Sequence, residues 1–251
     1  MTIYDFSAPR LYVEPALSTG VALALDKSQQ NYLHNVLRLS EGESVLIFNG
    51  RDGEWLSRLV SDGRRRLSLM PIECIRSQTG GGDLHYLFAP LKHARLDYMI
   101  QKAVEMGATC LRPVITRRTQ ASRVNAARMR ANVIEAAEQC GIIALPEVRD
   151  VVPLAVALND WPAERRLIFC DEETEAADSV TSLRAAAGNG PLAVLIGPEG
   201  GFDPAEREDI LAMPATVRVS LGPRILRADT AAVAALALVQ AVVGDWRPKD
   251  M

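Results

Sequence analysis

Leu195-Ile-Gly-Pro-Glu-Gly-Gly-Phe-Asp-Pro-Ala-Glu206 is the stretch from which the fold can be read. An apolar run, Leu192 to Ile196, enters three glycines, Gly197, Gly200 and Gly201, and Asp203, Pro204 and Glu206 follow. The run suits a buried strand of a parallel sheet. Asp203 with Pro204 and Glu206 predicts an N-cap, a first-turn proline and a capping box. The stretch therefore reads as strand, sharp glycine turn, helix, and glycine in that turn lets a ligand approach the backbone closely. Val219-Ser-Leu-Gly-Pro-Arg-Ile-Leu-Arg-Ala-Asp-Thr230 repeats the design, with Asp229 or Thr230 expected to cap the last helix. Plain turn chemistry would produce either stretch alone. Two such loops, expected on adjacent strands, point to a ligand crevice at the carboxyl ends of a parallel sheet.

Outward from these loops, strand-like runs alternate with helical ones, the pattern of an α/β domain. Strands are predicted at Tyr86 to Pro90, Cys110 to Ile115, Leu167 to Cys170, Leu192 to Ile196 and Val217 to Leu221. Helices are predicted near Arg95 to Met106, Arg123 to Gln139, Val180 to Ala187, Pro204 to Ala212 and Thr230 to Val243. Ahead of them, Ser77-Gln-Thr-Gly-Gly-Gly-Asp83 reads as a linker. The residues before it read as a small β-rich domain. Its strands Val45 to Phe48, Glu54 to Val60 and Arg66 to Met70 lie among the turn signals Asn49-Gly50, Asp52-Gly53 and Asp62-Gly63. One helix, about Ser28 to Leu37, is expected to turn Leu33, Val36 and Leu37 to one face.

The 251 residues are 48% hydrophobic and 24% charged, ordinary values that give disorder and fibrous repeats no support. The acid and proline near the N-terminus do not suit a signal peptide, so a cytoplasmic location is expected. The apolar stretch Ala231 to Gly244 is too short for a membrane span and reads as a buried helix. Four cysteines without a C-x-x-C and three histidines without a ligand set suggest no metal site. A P-loop, a G-x-G-x-x-G and a nucleophile elbow are all absent, which argues against common nucleotide sites and serine hydrolysis. Charge is uneven. Lys92 to Arg130 carries nine basic residues against Asp97 and Glu105, whereas Ala131 to Ile210 carries sixteen acidic against five basic. The basic stretch fits a phosphate-backbone footprint, with Arg112, Arg117, Arg118 and Arg123 as the candidate contacts, or equally a solvated face.

The strings LIGPEGGFDPAERE and LGPRILRADTAAVAAL closely resemble the two cofactor motifs of the small-subunit ribosomal RNA uridine-N3 methyltransferases, members of the SPOUT class. RLYVEP from Arg10, HNVLRLSEGESVLIFNG from His34, KHARLDYMIQKAVEMGATCLRPVITRRTQ from Lys92 and EAAEQCG from Glu135 extend the resemblance over almost the whole chain. It implies a PUA-like RNA-binding β-barrel at residues 1–76, a linker at 77–83 and a SPOUT domain with a trefoil knot at 84–251. It also implies a homodimer that uses S-adenosyl-L-methionine on 16S ribosomal RNA within the small ribosomal subunit. By position, the cofactor pocket would include Ile196, Gly197, Pro198, Glu199, Gly200, Leu221, Gly222, Ile225, Leu226 and Arg227, with Phe169 to Glu172 closing its far side. The chain departs from the family at Ile142, where a polar or basic residue is usual, and at Ala228-Asp229, where Thr-Glu is usual.

Uridine N3 carries a proton and is a poor nucleophile, so its methylation calls for a proton acceptor or for positive charge that stabilises the uridine anion. Arg227 is the candidate for the second role. Glu199 is a candidate base, although a carboxylate in a turn serves as readily to hold the loop. Methylation at another RNA position, such as a ribose 2′-hydroxyl, and a catalytically silent RNA-binding or ribosome-assembly role are the alternatives left open.

Overall fold

The computed structural model describes residues 8–61, 67–120, 124–159, 161–173, 179–186 and 190–246. They form two compact units. One holds the described residues up to Gly80 together with Ala137–Leu145, and the other holds Gly81–Ala136 and the described residues from Pro146 onward.

In the first unit, β1 (Arg10–Tyr12), β2 (Leu23–Ala24), α1 (Lys27–Asn31), β3 (Ser44–Phe48), β4 (Glu54–Ser61) and β5 (Leu67–Arg76) appear in chain order. The strands form one sheet in the order β1-β3-β4-β5-β2, antiparallel except where β1 runs parallel to β3. Two register shifts, at Glu54/Trp55 and Leu56/Ser57, bend β4, and the sheet curls over a core that includes Leu33, Val45, Ile47, Leu59 and Leu69. The Asn49-Gly50 turn is fastened by the Asn49 side chain, which accepts from the backbone N–H groups of Arg51 and Asp52. Beyond α1 the helix does not continue as the amphipathic pattern predicts. Residues Tyr32–Val36 form a π-helical turn, closed by the Leu37 N–H on the Tyr32 carbonyl, and the wider turn rotates the following side chains. Leu33 is fully buried and Leu37 partly so, but Val36 is exposed, contrary to expectation.

The second unit contains β6 (Leu84–Phe88), α2 (His93–Glu105), β7 (Cys110–Ile115), the part of α3 (Ala126–Cys140) up to Ala136, β8 (Glu147–Val148), β9 (Val152–Pro153), α4 (Leu154–Asn159), β10 (Arg166–Cys170), α5 (Ser179–Ala186), β11 (Leu192–Ile196), α6 (Pro204–Ala212), β12 (Thr216–Val219) and α7 (Ala228–Val242). All seven strands are parallel, in the order β12-β10-β11-β6-β7-β8 with β9 also on β7. The two glycine stretches follow β11 and β12, which are not adjacent as expected: β10 lies between them. All five residues of β11 are buried, which is why it reads as an unbroken apolar run. On one face Leu87, Val114, Phe169 and Leu195 pack with Leu154 of α4 and Ile210 of α6. On the other, α7 lies on β11 between α2 and α5. Its alanines explain the close approach: Ala228, Ala232 and Ala235 are buried with Leu236 and Val239 on one stripe. Among the described residues no helix is long and apolar enough to cross a membrane.

Candidate functional site

The carboxyl ends of β10, β11 and β12 release three loops that enclose a cavity of about 560 Å³, a volume suited to a small organic ligand. Phe169, Cys170 and Ile196 line it from the strand ends, Gly197, Pro198 and Glu199 from the loop after β11, and Leu221 to Ala228 from the loop after β12. Nine of the ten pocket residues expected from the sequence border this space, and Gly200 does not. Phe169 to Glu172, expected at the far side, border it as well.

The glycines act in different ways. At Gly197 a β-carbon would lie 2.4 Å from the Phe202 ring, which is itself packed edge-on against Phe169 at 5.3 Å between centroids. Glycine is required there by space. At Gly222 the backbone has φ +97°, which other residues rarely adopt. Gly200 needs neither allowance, since a β-carbon would meet Arg118 only at ordinary contact distance; the left-handed residue of that loop is Gly201, at φ +69°. The loop then enters α6 through the expected capping box. Asp203 caps the helix, Pro204 opens it, and the Glu206 side chain returns to the Asp203 N–H.

The second loop departs from expectation at its end. α7 begins at Ala228, two residues before the expected Thr230, so Arg227 occupies the N-cap position with no side-chain cap, and neither Asp229 nor Thr230 is the cap. Asp229 sits in the first turn instead. Its Oδ2 accepts from Arg95 Nε at 2.9 Å and its Oδ1 from Arg95 Nη2 at 3.0 Å. The Arg95 Nη1 of the same guanidinium donates to Glu199 Oε1. That fork holds the Asp229 carboxyl below the usual carboxylate range, helped by the Thr230 N–H. Arg227 is exposed at the cavity, and no hydrogen bond or ion pair joins its side chain to another described residue.

A buried carboxylate braces the back of the site. Asp171, 4% exposed, accepts from Arg207 of α6 and Arg218 of β12 at 2.8 to 3.1 Å, tying three elements together. Desolvation pushes the Cys170 thiol up to about 12, so it stays protonated and is no nucleophile at neutral pH. Among the described residues no cluster of three or more His, Cys, Asp and Glu side chains could hold a metal.

The arginines expected at RNA are not brought together as a set. Arg117 donates to Asp203 Oδ1 at 2.6 Å and Arg118 to the Gly200 carbonyl at 2.9 Å, so both stand exposed at the edge of the glycine loop. Arg112 is half-buried within β7, with its guanidinium 5.6 Å from the Trp161 ring centroid. Arg123 lies outside the described residues. Sequence reasoning missed Arg95, Arg207 and Arg218, and it placed Asp171 in the far wall of the pocket without its two arginine partners. Arg95 lies within one of the quoted strings, but nothing local marks its partners, which follow it by more than a hundred residues.

Residues 80–240 match the RNA methyltransferase domain family, and residues 25–69 match the RNA methyltransferase PUA domain family. The chain is 30% identical to the ribosomal RNA small subunit methyltransferase E of Rickettsia conorii over 234 residues, covering 92% of this chain and 94% of that protein. Its fold is similar to that of the ribosomal RNA small subunit methyltransferase E from Neisseria gonorrhoeae bound to S-adenosyl methionine. The TM-score is 0.83 at 28% identity, over 96% of this chain and 100% of that one. It is also similar to a Legionella pneumophila protein described as a methyltransferase in complex with bound SAM, with TM-score 0.79 and 26% identity over 93% and 97% of the two chains.

Proposed function

The chain belongs to the RNA methyltransferase family, and from that premise we propose that it methylates uridine N3 in 16S ribosomal RNA of the small ribosomal subunit, using S-adenosyl-L-methionine. The observation that carries this reading is the cavity between the two glycine loops, formed by residues of both cofactor motifs.

The residues present fit the cofactor. Phe169, Ile196, Leu221 and Leu226 offer apolar surface to an adenine ring, and Glu172 and Glu173 offer negative charge to the cationic groups. No hydrogen bond ties the backbone of Arg224 to Leu226 to another described residue, which leaves donors and acceptors for the edges of a base. Ile196, Gly197, Pro198, Glu199, Leu221, Gly222, Ile225, Leu226 and Arg227, which border the cavity, are the residues proposed to hold it. When bound, the cofactor supplies an electrophilic methyl group.

The protein must then present N3 in line and help it lose its proton, so that the electron pair freed on nitrogen can form the new bond to carbon. Arg227 serves the developing anion. Its guanidinium is exposed at the cavity and uncommitted among the described residues, and the first-turn N–H groups of α7 add positive potential beside it.

The same reading makes residues 1–76 an RNA-binding domain joined through 77–83 to a knotted SPOUT domain at 84–251. It makes Arg117 and Arg118 RNA contacts at the rim of the site, and the protein a cytoplasmic homodimer. Ile225, 96% exposed beside the cavity, is the kind of apolar residue that a second subunit would cover. Mass spectrometry of nucleosides from ribosomal RNA, with and without the gene, tests the proposal. Loss of 3-methyluridine is expected, and its persistence in the deleted strain would refute the assignment.

A further inference from the structure

We infer that Arg95 is a positioning residue which sets the spacing of the two cavity loops, and that Glu199 and Asp229 are its anchors and not acceptors for the N3 proton. The inference rests on the methyltransferase reading above. One planar guanidinium, in the first turn of α2, binds carboxylates from two different loops: Asp229 in a two-pronged contact at 2.9 and 3.0 Å, and Glu199 through its remaining Nη1. Glu199 follows β11 and Asp229 opens α7, so α2 fixes the distance between the two walls of the cavity.

The arrangement needs an arginine. A lysine ammonium is a single point charge and cannot satisfy a two-pronged carboxylate and a second carboxylate in one plane. It also commits both acids. Asp229 is held below the usual carboxylate range by this fork, which makes it a poor base near neutral pH. Glu199 has one oxygen on the same guanidinium, and protonating it would break the link that holds its loop. Asp229, one carbon shorter than the glutamate usual in the family, keeps this contact because α7 begins at Ala228 and places it in the first turn. With Arg95 neutralised, Arg224 and Arg227 are the uncommitted cations that line the cavity among the described residues, and Arg227 is the one at the N-terminus of α7.

The experiment compares full-length wild type, Arg95→Gln, Arg95→Lys, Glu199→Gln and Asp229→Asn. It reads melting temperature, S-adenosyl-L-methionine affinity by calorimetry, and single-turnover methylation at saturating cofactor across a pH series. Arg95→Gln should weaken cofactor binding by about tenfold or more, the loss of one or two charge-assisted hydrogen bonds. Its single-turnover rate at saturation should fall by only about threefold, a small change on the barrier scale, and the slope of rate against pH should match wild type. Arg95→Lys should recover little of the affinity while keeping the charge, which separates geometry from neutralisation. Glu199→Gln or Asp229→Asn added to Arg95→Gln should cost nothing further, because all three act through one contact. The inference is overturned if Glu199→Gln or Asp229→Asn alone abolishes turnover at saturating cofactor and removes the pH-dependent limb, or if Arg95→Gln binds cofactor normally. Wild-type protein that binds no cofactor would instead overturn the methyltransferase reading on which the inference stands, so the two failures are distinguishable.

Discussion

Replacing His85 with glutamine should remove a large part of the acid sensitivity of the fold. His85 projects from β6, with its side chain 15% exposed and its Nδ1 buried without a hydrogen-bond partner among the described residues. Burial pushes its pKa from 6.5 down to about 4, and the cations of Arg165, Arg112 and Arg149 act in the same direction against the smaller opposing pull of Asp83. In the unfolded chain the imidazole takes up its proton near its ordinary value; in the folded protein it resists until about 4. Between those values the unfolded state binds more protons, so stability is intact above 6.5 and falls as the pH is lowered toward 4. A shift of this size corresponds to about 3 kcal/mol at roughly 1.4 kcal/mol per pKa unit. That is a substantial part of the roughly 5–15 kcal/mol typical of a folded domain. Urea unfolding at neutral pH and at several points down to pH 4 would measure it. Wild type should lose stability steadily across that window and His85→Gln should lose about 3 kcal/mol less, whereas parallel curves for the two proteins would refute the assignment of the loss to this side chain. Asp83 adds acid sensitivity of its own, but its pKa is lowered from 3.8, so its contribution disappears at lower pH than the histidine's.

The remaining predictions concern the site. Gly197→Val should collide with Phe202 and disturb its packing on Phe169, costing about 1–3 kcal/mol of stability as overpacking usually does; calorimetry should show a sharp loss of cofactor affinity, and wild-type affinity would mean the loop is only a turn. Arg227→Ala should lower single-turnover methylation by about a hundredfold while changing cofactor affinity little, because its interaction strengthens as charge develops on the base; normal turnover in a folded variant would remove it from the mechanism. Asp171→Asn should destabilise the protein by about 2 kcal/mol, below the cost of breaking a fully buried pair because Arg207 and Arg218 keep some access to water. Chemical denaturation would detect it, and an unchanged midpoint would show that the two arginines find other partners.

Long apolar runs made the parallel sheet legible in the sequence: β6, β7, β10 and β11 lie within two residues of where their patterns placed them. The α6 entry was equally legible, because a cap, a proline and a capping-box glutamate act over only four residues. What escaped was short or long-range. Two-residue strands such as β2, β8 and β9 have no periodicity to detect, and α4 covers only Leu154–Asn159. The π-helical turn at Tyr32–Val36 has no composition signal, yet it moved Val36 into solvent. Residues 137–145 group with the N-terminal unit through contacts that spacing cannot show: Glu138 accepts the Tyr12 N–H at 2.8 Å, and the Gly141 carbonyl accepts from Arg76 at 2.6 Å. In the site, the loop residues were readable as motifs. The ion pairs that hold them, Arg95 with Glu199 and Asp229, and Asp171 with Arg207 and Arg218, depend on which distant elements meet.

The strand order has a consequence for how the chain acquires its structure during synthesis. β6 emerges early, but its partner on one side is β11, so the Leu84–Leu192 pairing cannot form until most of the chain has been made. Until then β6 and β7 present an open edge of apolar strand, a surface that invites wrong pairing. Closing so distant a contact is entropically slow. β11 is thus the keystone of assembly: its arrival fills the gap between β6 and β10 in one step, and only then can the loop carrying Gly197 take its place. Folding of the sheet and completion of the cavity are, for this chain, the same late event.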